Sequence, residues 1–317
     1  MPRTCRDGVG LAYEVDPATP GDGARDDDTD RAPVVFVPDV ELGRWAWRWQ
    51  RDAVRGQRRL LAPALRGTGP RLRTDGGVAI DDGARRSDAG FPPLVPSLPG
   101  PLRRRIVSRE DSATVASLAD DLAAVIADDS AFGRGRSQDV HLVGQGLGGA
   151  IAIEYAIERG GVRSLTLVGT RHGGPGTPET PDAVRSQALD PDGSGRTRRR
   201  NRLRPFFAAD FLARNPHLFA RIVDWQADQG PDAATREAQW AAWDRYDPTD
   251  RLDDISVPAL VIHGTADRLV PVEHGHALAE AIPESTIELM DGSGHAVAVE
   301  AADRVAARLA TFVDSVE

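Results

Sequence analysis

Apolar positions along the chain follow two periods. Short runs rich in β-branched residues and bounded by Gly, Pro or Asp predict strands over 8–14, 33–37, 59–62, 140–143, 164–168, 259–263 and 286–290. Between them the period lengthens to that of a helix. Val115, Leu118, Leu122, Val125 and Ile126 share one helical face behind Thr114, a residue type that caps helix N-termini. A second helical stretch, Leu147–Arg159, follows a strand without a spacer, and 305–312 is helical in pattern near the end of the chain. Strands alternating with helices predict the α/β class, with a mostly parallel sheet and crossover helices on its faces.

Three stretches break this rhythm. Residues 16–30 are acidic and predict a loop. Residues 70–105 are dense in Pro, Gly, Arg and Asp, with Arg103, Arg104 and Arg105 in a row, and predict a flexible surface loop whose charge run is solvated. Residues 171–253 fall between two sheet strands but are helical in pattern, with helices expected near 205–214, 218–229 and 233–243 and with Trp225, Trp240 and Trp243 among them. They predict a helical lid inserted into a core made of 1–170 and 254–317. Such a lid would hang over the carboxyl ends of the strands, where open α/β sheets bind ligands.

The sharpest local signal is Val-His-Leu-Val-Gly-Gln-Gly-Leu-Gly-Gly-Ala over 140–150. A strand enters a glycine-flanked turn and passes directly into a helix, as in the nucleophile elbow G-x-S-x-G, which pushes one side chain out at the top of the sheet. The exposed position here is Gly146. Downstream, Asp267 follows a strand in Val-Ile-His-Gly-Thr-Ala-Asp, and His295 follows the last strand in Met-Asp-Gly-Ser-Gly-His, in the chain order nucleophile, acid, histidine.

With these segments, and with Trp45-Ala46-Trp47, Leu65-Arg66-Gly67-Thr68-Gly69 and Leu118-Ala119-Asp120-Asp121-Leu122, nearly the whole chain resembles the α/β-hydrolase superfamily. Within it, the chain is similar to small-molecule ester and lactone hydrolases such as the 3-oxoadipate enol-lactonase-like proteins. The resemblance implies an eight-stranded sheet, Asp267 as the acid and His295 as the base of a triad, and oxyanion-hole amides at Val40 and Leu147. It implies no cofactor and no metal.

The departures from the pattern bear on function. The family's serine position is Gly146, and losing a triad nucleophile costs on the order of 10⁶ in rate. Where the family has His-Gly after the third strand, this chain has Pro38-Asp39, and a carboxylate there would repel a developing oxyanion. Asp39 is also a possible alternative carboxylate for catalysis, set against an ordinary capping or solvated loop role. Two functions compete: a weakly active or non-catalytic member that binds a small, partly apolar ligand, and a hydrolase in which Asp267 and His295 activate a water in the space vacated at Gly146.

Composition narrows the partners. The formal net charge is −9 and the sequence contains no Lys, so all 39 basic residues are Arg. Salt adaptation and GC-rich coding both account for that substitution. The acidic balance argues against nucleic acid or an anionic membrane as partner. A lone cysteine, Cys5, and the lack of an apolar run near the roughly 20 residues that span a bilayer lead to the expectation of a cytoplasmic protein. The other six histidines, at 141, 172, 217, 263, 274 and 276, show no metal-ligand spacing.

Overall fold

The computed structural model describes residues 1–17, 31–56, 58–68, 113–132 and 139–317. The loop expected at 16–30 lies almost wholly outside these residues, and the one expected at 70–105 lies entirely outside them. The strands are β1 (Arg3–Arg6), β2 (Val9–Asp16), β3 (Val34–Val37), β4 (Leu60–Pro63), β5 (Val140–Gln145), β6 (Val162–Val168), β7 (Ala259–Gly264) and β8 (Ser285–Met290). They form a single sheet in the order β1-β2-β4-β3-β5-β6-β7-β8, antiparallel from β1 through the β2/β4 pair and parallel from there on.

Sequence periodicity did not predict β1. It pairs with β2 through a two-residue turn at Asp7-Gly8, both with positive φ (52° and 76°), the dipeptide that a tight hairpin favours. In the central strands successive side chains enter opposite cores. Val35 and Val37 of β3 join Leu61, Leu142, Leu165 and Ile151 on one face, while Val34 and Phe36 join Val143, Leu260, Ile262 and Phe312 on the other. Buried on both faces, these strands read as continuous apolar runs.

Helices Val115–Ile126 and Leu147–Arg159 supply the first core, and Arg48–Val54 and Ala302–Ser315 the second. The first of these begins at Thr114, whose hydroxyl accepts from Ser117 N at 3.0 Å while Thr114 N donates to the Ser117 hydroxyl at 2.9 Å. This is a capping box, which satisfies two amides at the helix start.

Between β6 and β7 the chain forms helices Asp182–Leu189, Gly195–Leu203, Ala209–Arg214, Pro216–Gln229 and Ala233–Asp244. The last three agree closely with the helical period of the sequence. The first two were not expected. Gly195–Leu203 buries only Arg202 and Leu203, so it carries too few apolar positions to show a period. Because β3, β5, β7 and β8 are parallel, the loops bearing Asp39, Gly146, Asp267 and His295 all leave the same edge of the sheet.

Candidate active site

Gly146 sits at the junction of β5 and helix Leu147–Arg159 with φ 52° and ψ −117°. That backbone conformation is costly for any residue with a Cβ and is held by its surroundings. Gly146 N donates to Val168 O at 3.0 Å, and Gly146 O accepts from Gly149 N at 3.1 Å. The turn is the sharp strand-to-helix elbow that the local sequence predicts. Close approach of the backbones explains Gly148, where an added Cβ would collide with the carbonyls of Val37 and Pro38.

Asp39 fills the place of the absent side chain. A Cβ on Gly146 would lie 2.5 Å from Asp39 Cγ and closer still to Oδ1, well inside van der Waals contact. Asp39 Oδ1 accepts from Leu147 N at 2.8 Å, so the carboxylate occupies one of the two amides expected to form an oxyanion hole. The second expected contributor, Val40, is buried beside Asp39 and lines the same small cavity. Sequence reasoning anticipated repulsion of an oxyanion by Asp39. In the structure that carboxylate lies on the Leu147 amide itself.

His295 lies between two carboxylates. Its Nδ1 is 2.8 Å from Asp267 Oδ2 and its Nε2 is 3.0 Å from Asp39 Oδ2, with all three side chains buried. Asp267 is anchored through Oδ1 by the amides of Leu269 and Val270, each at 2.9 Å. Burial alone would push the imidazole pKa down. The charges and hydrogen bonds of Asp267 and Asp39 override it and hold His295 up at about 10. A carboxylate on each ring nitrogen favours the imidazolium, in which both nitrogens donate and no lone pair is left to take a proton. For Asp267 burial would raise the pKa, but His295 and His263 hold it well below the usual carboxylate range.

The helical insertion encloses this group. Phe206 meets the His295 ring edge-on at a centroid distance of 5.6 Å, and Trp243 lies 6.0 Å away. Ala296 N donates to Phe206 O at 2.7 Å, and Gln145 Nε2 donates to His295 O at 2.8 Å. Against Asp39 there remains a cavity of about 10 Å³, lined by Val40, Leu65, Thr68 and Gln229 among others. That is room for roughly one water. The space above Gly146 in which a water was expected is held by the Asp39 carboxylate, which also meets His295 Nε2.

Glu41 is a residue that sequence reasoning missed. It is fully buried two positions beyond Asp39, pairs with Arg236, and accepts from Gln226 Nε2 at 2.6 Å. Both partners come from the insertion, so the Pro38–Leu42 turn is clamped from above. Burial holds the Glu41 carboxyl above its ordinary pKa despite Arg236 and Arg202. Its signal in the sequence was a carboxylate between Val40 and Leu42, both apolar and both buried. Among the described residues no group of three or more His, Cys, Asp or Glu is arranged to hold a metal ion, and no helix is long and apolar enough to cross a membrane.

Comparison with known proteins agrees with the geometry. Over 176 residues the chain is 31% identical to the pimeloyl-[acyl-carrier protein] methyl ester esterase of Xanthomonas campestris pv. campestris, covering 54% of this chain and 69% of that one. The enol-lactonase of Burkholderia xenovorans LB400 superposes with a TM-score of 0.71 at 19% identity, covering 99% of this chain and all of that one. A thermophilic esterase from Thermogutta terrifontis gives a TM-score of 0.65 at 24% identity, over 99% of this chain and 97% of its own. The alpha/beta hydrolase family pattern matches residues 34–308. With the sheet order, the elbow at Gly146 and the Asp267–His295 pair in place, the chain belongs to the alpha/beta hydrolase family.

Proposed function

We propose that this protein is a member of its family without serine-type acyl transfer, weakly active or inactive on esters and lactones, that binds a small, partly apolar ligand beneath a helical lid formed by residues 171–253. One observation carries the reading: the Asp39 carboxylate lies over Gly146, on the Leu147 amide and on His295 Nε2. A serine hydrolase needs a nucleophile, a neutral imidazole and a free oxyanion hole at this point. Here the nucleophile is absent, the imidazole is charged and the Leu147 amide is occupied. Relatives named as esterases and an enol-lactonase support a small-molecule ligand.

The rival reading, in which His295 activates a water above Gly146, lacks support from the geometry, because the carboxylate holds that space and a protonated ring cannot act as base. The test is turnover of p-nitrophenyl acetate, p-nitrophenyl butyrate and small lactones at pH 7. The native protein and His295→Ala should both run at the buffer rate. Native turnover well above background that vanishes in His295→Ala would establish the water mechanism instead. Asp39→Gly combined with Gly146→Ser should raise ester hydrolysis above either single change, because it frees the Leu147 amide and restores a nucleophile together.

A further inference from the structure

Away from the elbow, an open groove of about 480 Å³ runs between the insertion and the segment 299–304, with Trp49, Phe211, Leu218 and Val299 among its lining residues. Its volume falls within the range of small-molecule sites. Helix Pro216–Gln229 continues past it: Leu218, Arg221 and Trp225 lie three and four residues apart and so share one face. At that end the Arg48 guanidinium lies 3.7 Å from the centroid of the Trp225 ring and 5.6 Å from that of Trp49, and the Arg221 guanidinium lies 4.9 Å from that of Trp225. Two cations are thus gathered on one indole beside a trough whose apolar floor is rimmed by Arg214, Asn215, Glu300, Asp303 and Arg304.

Their surroundings do not neutralise them. Arg236, Arg185, Arg196, Arg44 and Arg51 each pair with a carboxylate. Among the described residues neither Arg48 nor Arg221 has a carboxylate within 4 Å, in a chain whose acidic residues outnumber its basic ones by 48 to 39. Asp52, the carboxylate that acts on Arg48 from a distance, is itself 3.3 Å from Arg55. Of the acids lining the groove, Glu300 points its carboxyl at Ala208 N, 3.1 Å away, and Asp303 lies on the rim beside Arg304, whose guanidinium is taken by Glu288 at 2.9 Å. Guanidinium forks left with free donors match a carboxylate head, and the trough matches an aliphatic chain.

We propose that this groove binds a soluble single-chain aliphatic carboxylate, with its head on Arg48 and Arg221 and its tail over Trp49, Leu218, Phe211 and Val299. The site is separate from the elbow, so it stands or falls independently of the function proposed above. The test is calorimetric titration of the full chain with sodium decanoate below its micellar concentration at fixed ionic strength. One saturable site is expected, with decyl alcohol and acetate each binding about tenfold or more weakly, since each lacks one half of the match. Arg48→Gln with Arg221→Gln should weaken decanoate by about tenfold or more, and Arg48→Lys with Arg221→Lys should recover part of it. Should the glutamine pair fail to fold by circular dichroism, Leu218→Glu, which places a charge in the trough, should abolish binding by itself. The proposal is overturned by the absence of saturable binding, by decyl alcohol binding equally well, by affinity unchanged in the folded variants, or by association with anionic vesicles without binding of monomeric decanoate.

Discussion

The two sides of the elbow site are built differently. On the β7 and β8 side, Asp267 is fixed by the amides of Leu269 and Val270 and orients His295 at 2.8 Å, the acid-to-base arrangement that a triad requires. On the β3 and β5 side, the elbow residue is a glycine and the Leu147 amide is occupied by Asp39. The two changes depend on each other, because a side chain at Gly146 would displace the carboxylate. The acid–histidine pair thus keeps its geometry while a second carboxylate, on His295 Nε2, favours the charged ring.

The largest expected effect tests whether His295 is now structural. His295→Ala leaves Asp39 and Asp267 buried without their shared cation, and removing one partner of a buried ion pair costs about 3–5 kcal/mol. Chemical denaturation should show that loss. A cost below about 1 kcal/mol, typical of an exposed pair, would break the comparison.

Next comes the coupling across the β3/β5 side. Gly146→Ser alone should destabilise by about 2–4 kcal/mol, through overpacking against Asp39 and strain at φ 52°. Adding Asp39→Gly should return part of that loss. A double-mutant cycle measures the coupling, expected at about 1–3 kcal/mol; additive single effects would separate Gly146 from Asp39.

The pH dependence sharpens the contrast further. The folded-state pKa of His295 is raised to about 10, so its contribution is fully present below the unfolded value of about 6.5 and is lost as pH rises through 10. His274, on the core side of the insertion, is lowered to about 4, chiefly by burial. Its contribution is present above about 6.5 and is lost as pH falls toward 4. Urea midpoints across pH 4–11 should therefore decline at both ends, and His295→Ala should flatten only the alkaline decline. The smallest effect is a control far from the site: Thr114→Ala removes the cap of Val115–Ile126 and should cost about 1 kcal/mol without altering the pH profile.

The elbow was legible in the sequence because its signals are local. Gly144, Gly146 and Gly148 punctuate a β-to-helix junction, and each of Asp267 and His295 follows its own strand within a few residues. The third, fourth and fifth helices of the insertion were legible by their apolar period, whereas the Arg-rich Gly195–Leu203 was not. Residues 1–16 form a hairpin rather than one edge strand, and the Asp7-Gly8 dipeptide was the available signal. Sequence reading also identified Asp39 as the departure that mattered, without its position.

By itself, then, the sequence determined the strand succession, the turn at Gly146 and the presence of an acid and a histidine in triad order, because periodicity and turn chemistry act over a few residues. Only the tertiary structure decided that Asp39 occupies the vacated site. That contact joins residues 108 positions apart and exists because β3 lies beside β5 in the sheet. The clamp of Glu41 by Arg236, across 195 positions, depends likewise on where the insertion settles. A carboxylate in a loop after a strand carries no mark of which amide it will meet; strand order and packing supply that, and they set His295 between two carboxylates.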